Sequence, residues 1–211
     1  MKCTTAKSIL SPTFSQLRTH QQAFMALTYS QMIDLGAKAP EFDLPVSNPQ
    51  IVGSETLNLK CASDRKPFAI VFMCNHCPFV VHIEDALVDA ARVCKGRGVN
   101  LIGISSNDTL QYPQDSFEAM GRRAQDKKYP FPYLYDESQS VAKAYGAECT
   151  PDFFLYDENL GLAYRGRFDE TRPGIGKATG KEFLQAVDEL LTLGVVTMPQ
   201  RPSMGCNIKW K

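Results

Sequence analysis

One stretch, Pro67–Val81 (PFAIVFMCNHCPFVV), constrains this chain more than any other. An apolar run, Phe68–Met73, bounded by Lys66-Pro67, reads as a buried strand. It stops at Cys74-Asn75-His76-Cys77, and Pro78 follows. Beyond Cys77 the periodicity changes. Val80, Ile83, Leu87, Ala90, Ala91 and Cys94 fall at helical spacing, with charged and polar residues between them, so a helix is predicted from Cys77 to Lys95. Pro78 suits its first turn, where the missing N–H costs nothing. Two cysteines thus sit where a buried strand hands over to an amphipathic helix. The next apolar run, Val99–Ser105, completes a βαβ unit and hence a parallel pair of strands.

That placement carries chemistry. A thiolate rather than a thiol attacks disulfides, and an unperturbed cysteine, pKa about 8.5, is mostly protonated at neutral pH. The positive end of a helix stabilises an anion, and a protonated His76 adds to that field. Cys74 is expected to be the exposed, low-pKa attacking sulfur, with Cys77 closing a small disulfide ring. The competing readings are half of a zinc site and two inert core cysteines. Zinc normally needs a second Cys/His pair at similar spacing, and no other CxxC, CxxH or HxxxH occurs in the chain. The strand–CxxC–helix context favours redox chemistry.

Composition sets the outer limits. Lys+Arg and Asp+Glu number 23 each, so net charge offers no attraction to nucleic acid or an anionic membrane. No apolar stretch approaches the ~20 residues of a membrane span. Seven cysteines, an odd number, without a secretory signal, read as a reducing, cytoplasmic setting rather than a disulfide scaffold. Residues 1–33 contain no Asp or Glu and no signal-peptide core. They read as a disordered leader, with an organellar transit segment as the alternative and Met25 as an alternative start. The folded domain is assigned to residues 34–211, including the C-terminal tail.

Further motifs lie downstream. Phe42–Leu44 and Leu57–Leu59 read as short strands of an N-terminal hairpin, and Asp115–Lys127 as a polar helix. Arg165 and Arg167 alternate with Gly166 and read as solvent-facing. Gly174–Lys181 is one residue short of a phosphate loop. Thr179-Gly-Lys-Glu182 reads more simply as a helix capping box.

CNHCPFV after FAIVFM resembles the active-site segment of the thioredoxin-like superfamily. With LGAKAPEFDLP, LIGISSNDTLQYPQDS, YPFPYLYDESQSVAKAYGAECTPDFFLYD, YRGRFD and RPSMGCNIKWK, the chain from about Leu35 to Lys211 resembles peroxiredoxin-like redoxins of the alkyl hydroperoxide reductase/thiol-specific antioxidant type. The resemblance implies an α/β thioredoxin-like fold, a central mixed β-sheet flanked by helices. It also implies that the Thr150-Pro151 bond is cis, faces the CxxC and binds substrate backbone in the manner of strand addition.

Three functions are weighed on that basis. The first is thiol–disulfide oxidoreduction. Cys74 attacks a disulfide-bearing protein or small thiol substrate, Cys77 resolves the mixed disulfide, His76 tunes Cys74, and no cofactor beyond the redox disulfide is required. The electron donor is unassigned. The second is a thiol peroxidase with Cys77 as peroxidatic residue. The family's threonine and proline positions hold Cys74 and Ile70, however, and Cys149-Thr150 replaces its arginine. The third is a soft-metal carrier using Cys74, Cys77 and Cys149 or His76. Met73 stands where tryptophan precedes the thioredoxin CxxC, and the strand contains no buried acid for Cys77, leaving Glu148 as a weak candidate. Cys149 and Cys206 are auxiliary candidates for a relay running from the CxxC to Cys149 and then to a flexible, Gly-flanked Cys206; two inert thiols are the simpler reading.

Overall fold

The computed structural model describes residues 27–211. Cys3 and Met25 lie outside the described residues. In chain order the elements are β1 (Leu27–Tyr29), β2 (Asp43–Pro45), β3 (Thr56–Asn58), α1 (Leu59–Ser63), β4 (Phe68–Phe72), α2 (Pro78–Gly96), β5 (Asn100–Ser105), α3 (Phe117–Asp126), β6 (Tyr133–Tyr135), α4 (Ser140–Tyr145), β7 (Cys149–Thr150), β8 (Asp152–Tyr156), β9 (Leu162–Gly166), α5 (Lys181–Leu193) and β10 (Met204–Asn207).

The central sheet runs β6-β5-β4-β8-β9. β4 pairs parallel with β5 and antiparallel with β8; β6 adds parallel to β5, and β9 antiparallel to β8. This is the mixed α/β thioredoxin-like sheet. β4 is apolar throughout because both its faces are covered. Phe68, Ile70 and Phe72 pack with Leu59, Tyr145 and Phe154, while Ala69, Val71 and Met73 pack with Leu87, Phe153 and Phe183. The β2–β3 hairpin pairs Leu44 with Leu57 and docks through Val46 on Leu134.

α2 is fixed from the side. Buried Glu84 accepts two hydrogen bonds from Arg123 of α3, both 2.7 Å, and one from the Tyr129 hydroxyl at 2.6 Å. Burial pushes the Glu84 carboxyl up, but these donors outweigh it and hold its pKa below 4.5.

A second sheet overturns the assignment of residues 27–33 to a leader. The order is β1-β10-β7, antiparallel throughout, with Leu27 opposite Cys206 and Cys206 opposite Thr150. Ser30 N–H donates to Ser203 O at 3.0 Å, and Ser203 N–H to Ser30 Oγ at 2.9 Å. The domain therefore includes Leu27.

Two smaller expectations also change. Arg165 is fully buried rather than solvent-facing, because β9 is covered on both sides. It donates to Gly146 O at 2.8 Å and Asp152 Oδ2 at 3.2 Å, over the Phe154 ring. The capping box does not form. Gly180 is the N-cap, Asp169 accepts from the N–H groups of Thr179 and Gly180, and Glu182 pairs with Arg167. Among the described residues no helix is long and apolar enough to cross a membrane.

Candidate active site

β4 delivers Cys74 one residue past Met73, whose N–H is still tied to Ile104 O at 2.8 Å. Cys77 is the N-cap of α2, with Pro78 at the first helical position. Thr150-Pro151 is cis and lies across from both sulfurs. Cys74 Sγ is 3.6 Å from Thr150 Oγ1, and Cys77 Sγ donates to Thr150 O at 3.1 Å. A third sulfur joins them: Cys206 Sγ from β10 lies 2.8 Å from Cys77 Sγ, within a hydrogen bond. Cys74, Cys77 and Cys206 are all buried.

The electrostatics reverse the expected order of the pair. Cys74 is 1% exposed, not open to solvent. Its pKa is raised well above the thiol range by the hydrogen bond it gives Cys77, by burial and by the Asp115 carboxylate. Burial opposes charge on Cys77 as well, but hydrogen bonds from Cys206, Cys74, Thr150 and the Val80 N–H outweigh it. These hydrogen bonds, at the helix N-terminus where the first-turn N–H groups converge, hold the pKa of the Cys77 thiol well below that of Cys74. The Cys206 thiol is pushed up by its hydrogen bond to Cys77 and by burial.

His76 lies 3.9 Å from Cys74 Sγ through Nδ1 and stacks on Tyr112, ring centroids 5.3 Å apart. The same nitrogen lies 2.6 Å from Asp115 Oδ2. Asp115 is the acid that sequence reading missed. It is fully buried in a one-turn 3-10 helix, Pro113–Asp115, not in the polar helix predicted from Asp115; α3 starts later, capped by Ser116. It accepts from Asn75 N–H at 2.8 Å and Asn107 Nδ2 at 2.9 Å. The only hint was Pro113 two residues earlier, a turn signal. Glu148 instead lends its carbonyl to Ile208 N–H.

Cys149 does not join the cluster. Its Sγ faces Pro151 O at 3.7 Å, and burial drives its thiol far above the ordinary range. Nor is the tail around Cys206 flexible. Ile208 is buried in the core, and Lys209 N–H donates to Asn107 Oδ1 at 2.9 Å. Trp210 stays 39% exposed beneath Lys143.

The ligand atoms of Cys74, His76 and Asp115 lie within 4.8 Å of one another, the one such three-residue grouping among the described residues. This grouping shares Cys74 and His76 with the soft set of Cys74, Cys77 and Cys149 or His76, with Asp115 in place of the second thiol. The Asp115 oxygens in it are already engaged by Asn75, Asn107 and His76. Beside Pro151 a cleft of ≈ 150 Å³ is lined by Tyr29, Phe79, His82, Arg167 and Met204.

Comparisons with known proteins agree with this architecture. Residues 35–165, well over half the chain, match the AhpC/TSA family. An uncharacterized conserved protein from Geobacillus kaustophilus is 44% identical, covering 89% of this chain and 97% of its own, with a TM-score of 0.83. A hypothetical protein from Sinorhizobium meliloti 1021 is 45% identical over 87% of this chain and 98% of its own, TM-score 0.82. A peroxidoxin from Mycobacterium tuberculosis, 15% identical over 75% of this chain and 97% of its own, shares the fold at TM-score 0.55. No curated protein matches significantly. The chain belongs to the AhpC/TSA family and is a thioredoxin-like redoxin.

Proposed function

We propose that the protein is a thiol–disulfide oxidoreductase working through Cys74 and Cys77. The observation that carries this reading is the placement of the pair: Cys74 at the end of β4 and Cys77 at the N-cap of α2 both face Thr150 of the cis Thr150-Pro151 segment, and the Cys77 thiol is the lowered one. Cys74, on the His76 side of the cluster, attacks a substrate disulfide and passes its proton to Cys77. A mixed disulfide forms and the first substrate thiolate departs. Cys77 then attacks Cys74 Sγ, its proton leaving with the second substrate thiol, and the Cys74–Cys77 disulfide remains. Two electrons pass from the dithiol to the substrate, and an external thiol donor restores the reduced state. Thr150, through its hydroxyl and carbonyl, positions both sulfurs. Disulfides of small thiols or of proteins are the substrate class, in a reducing compartment and without a resident cofactor.

The test is turnover of glutathione disulfide and of a model protein disulfide, with the Cys74/Cys77 potential measured on the same sample. Cys77→Ser should accumulate mixed disulfides at Cys74. The lowered Cys77 thiol also favours a second reading, peroxide reduction at that sulfur. Peroxide consumption without disulfide turnover would replace the first reading with the second.

A further inference from the structure

Resting on that reading of the CxxC, we infer that Cys206 is a third redox-active thiol: the disulfide formed between Cys74 and Cys77 moves on to Cys77–Cys206, so that Cys77 is the shared member of two alternative pairs.

The geometry points to Cys206 rather than to a serial relay through Cys149. Cys206 Sγ is 2.8 Å from Cys77 Sγ, with nothing between them. Its position is fixed by register on both sides, opposite Thr150 in β7 and opposite Leu27 in β1. Gly205 makes the approach possible, since a Cβ there would run into the carbonyl of Thr150. Glycine at this position serves close backbone contact rather than a hinge. Beyond Cys206, Ile208 N–H is held by Glu148 O at 3.0 Å, and Asp108 N–H donates to Lys209 O at 2.8 Å. Cys149, one residue before Thr150, is on the other side of β7 and faces Pro151 O.

The step balances within the chain. The Cys206 sulfur attacks Cys77 Sγ of the Cys74–Cys77 disulfide. The S74–S77 bond breaks, the S77–S206 bond forms, and the proton of Cys206 ends on Cys74. One disulfide replaces another with no net oxidation. The oxidising equivalent is then held beneath the tail strand, and Cys74 is a free thiol again. An external thiol reaches that disulfide by the reverse exchange through Cys74.

The experiment uses the full chain, reduced and then treated with one equivalent of glutathione disulfide. Free thiols are blocked with an alkylating agent and the crosslinks mapped by proteolysis and mass spectrometry. Wild type should give both Cys74–Cys77 and Cys77–Cys206 peptides. Cys74→Ser, oxidised slowly by direct attack of Cys77 on glutathione disulfide, should give Cys77–Cys206 alone, and Cys206→Ser should give Cys74–Cys77 alone. Cys74–Cys77 as the sole crosslink in wild type, with no intramolecular disulfide in Cys74→Ser, overturns the role of Cys206 and leaves the CxxC reading standing. Cys77–Cys206 without any Cys74–Cys77 overturns the exchange and the CxxC reading together. Circular dichroism of each variant separates loss of a crosslink from loss of fold.

Discussion

The two halves of the active site are built in opposite ways. The β4–α2 junction places Cys74 and Cys77 within four consecutive residues, and its geometry follows from a strand ending and a helix beginning. The β1-β10-β7 sheet places Cys206 against Cys77 across 129 residues of sequence, using three segments that are each two to four residues long. The electrostatics of the first half combine one helix terminus with hydrogen bonds from Cys206 and Thr150 of the second. The second half is positioned through register and close backbone approach. A local motif can thus place a pair of sulfurs while distant strands bring in a third and share in setting which of them ionises.

The largest expected effect strikes the local half. Cys74→Ser should lower disulfide turnover by at least about a thousandfold, because the attacking sulfur is gone. Steady-state kinetics with glutathione disulfide will read it.

The support of that half comes next. Arg123→Met leaves Glu84 buried without its main partner and should cost about 3 kcal/mol in denaturant unfolding. The acid limb reports on the same group. Glu84 releases its proton more readily folded than unfolded, so its contribution is present above about pH 4.5 and is lost as pH falls below it. In Arg123→Met that acid-linked loss should shrink.

Gly205→Ala probes the distant half. The new methyl meets backbone rather than a movable side chain, so β10 must shift. A cost of about 1–3 kcal/mol is expected, with the Cys77–Cys206 crosslink suppressed and Cys74–Cys77 retained. Equal loss of both crosslinks would mean that the two halves fold as one unit.

A finer comparison concerns charge beside Cys74. His76→Ala leaves the Asp115 carboxylate facing the thiol. It should lower the Cys74/Cys77 potential by roughly 30 mV, equivalent to about 1.4 kcal/mol. Asp115→Asn should raise it. The smallest effect is expected at Cys149: the Cys149→Ala crosslink pattern should match wild type, since that sulfur touches neither member of the pair.

How much of this was legible followed the same division. β4, α2, the hairpin and the strand after Pro151 were readable because apolar period and turn residues are local signals. Cys206 was visible as a cysteine but not as a neighbour of Cys77, and Gly205 looked like slack in the chain. Asp115 looked like the start of a surface helix, and its burial depends on Asn75, His76 and Asn107, from two other loops. Arg165 defeated the alternation rule because β9 is covered on both faces. Strand β1 was missed because a three-residue strand carries too little pattern to be seen without its partner.

The edge of β7 has one further consequence. In strand addition, an incoming peptide gains its affinity from unpaired backbone groups, and at Thr150 the opposing place is taken by the chain's own Cys206. A tethered segment competes at an effective concentration on the order of millimolar, before counting Ile208, Lys209 and the Ser30–Ser203 contacts that hold it. A peptide substrate must evict this resident ligand to pair there. A compact disulfide entering beside Pro151 need not, so under the proposed function selection among substrates at this site would be by size before it is by sequence.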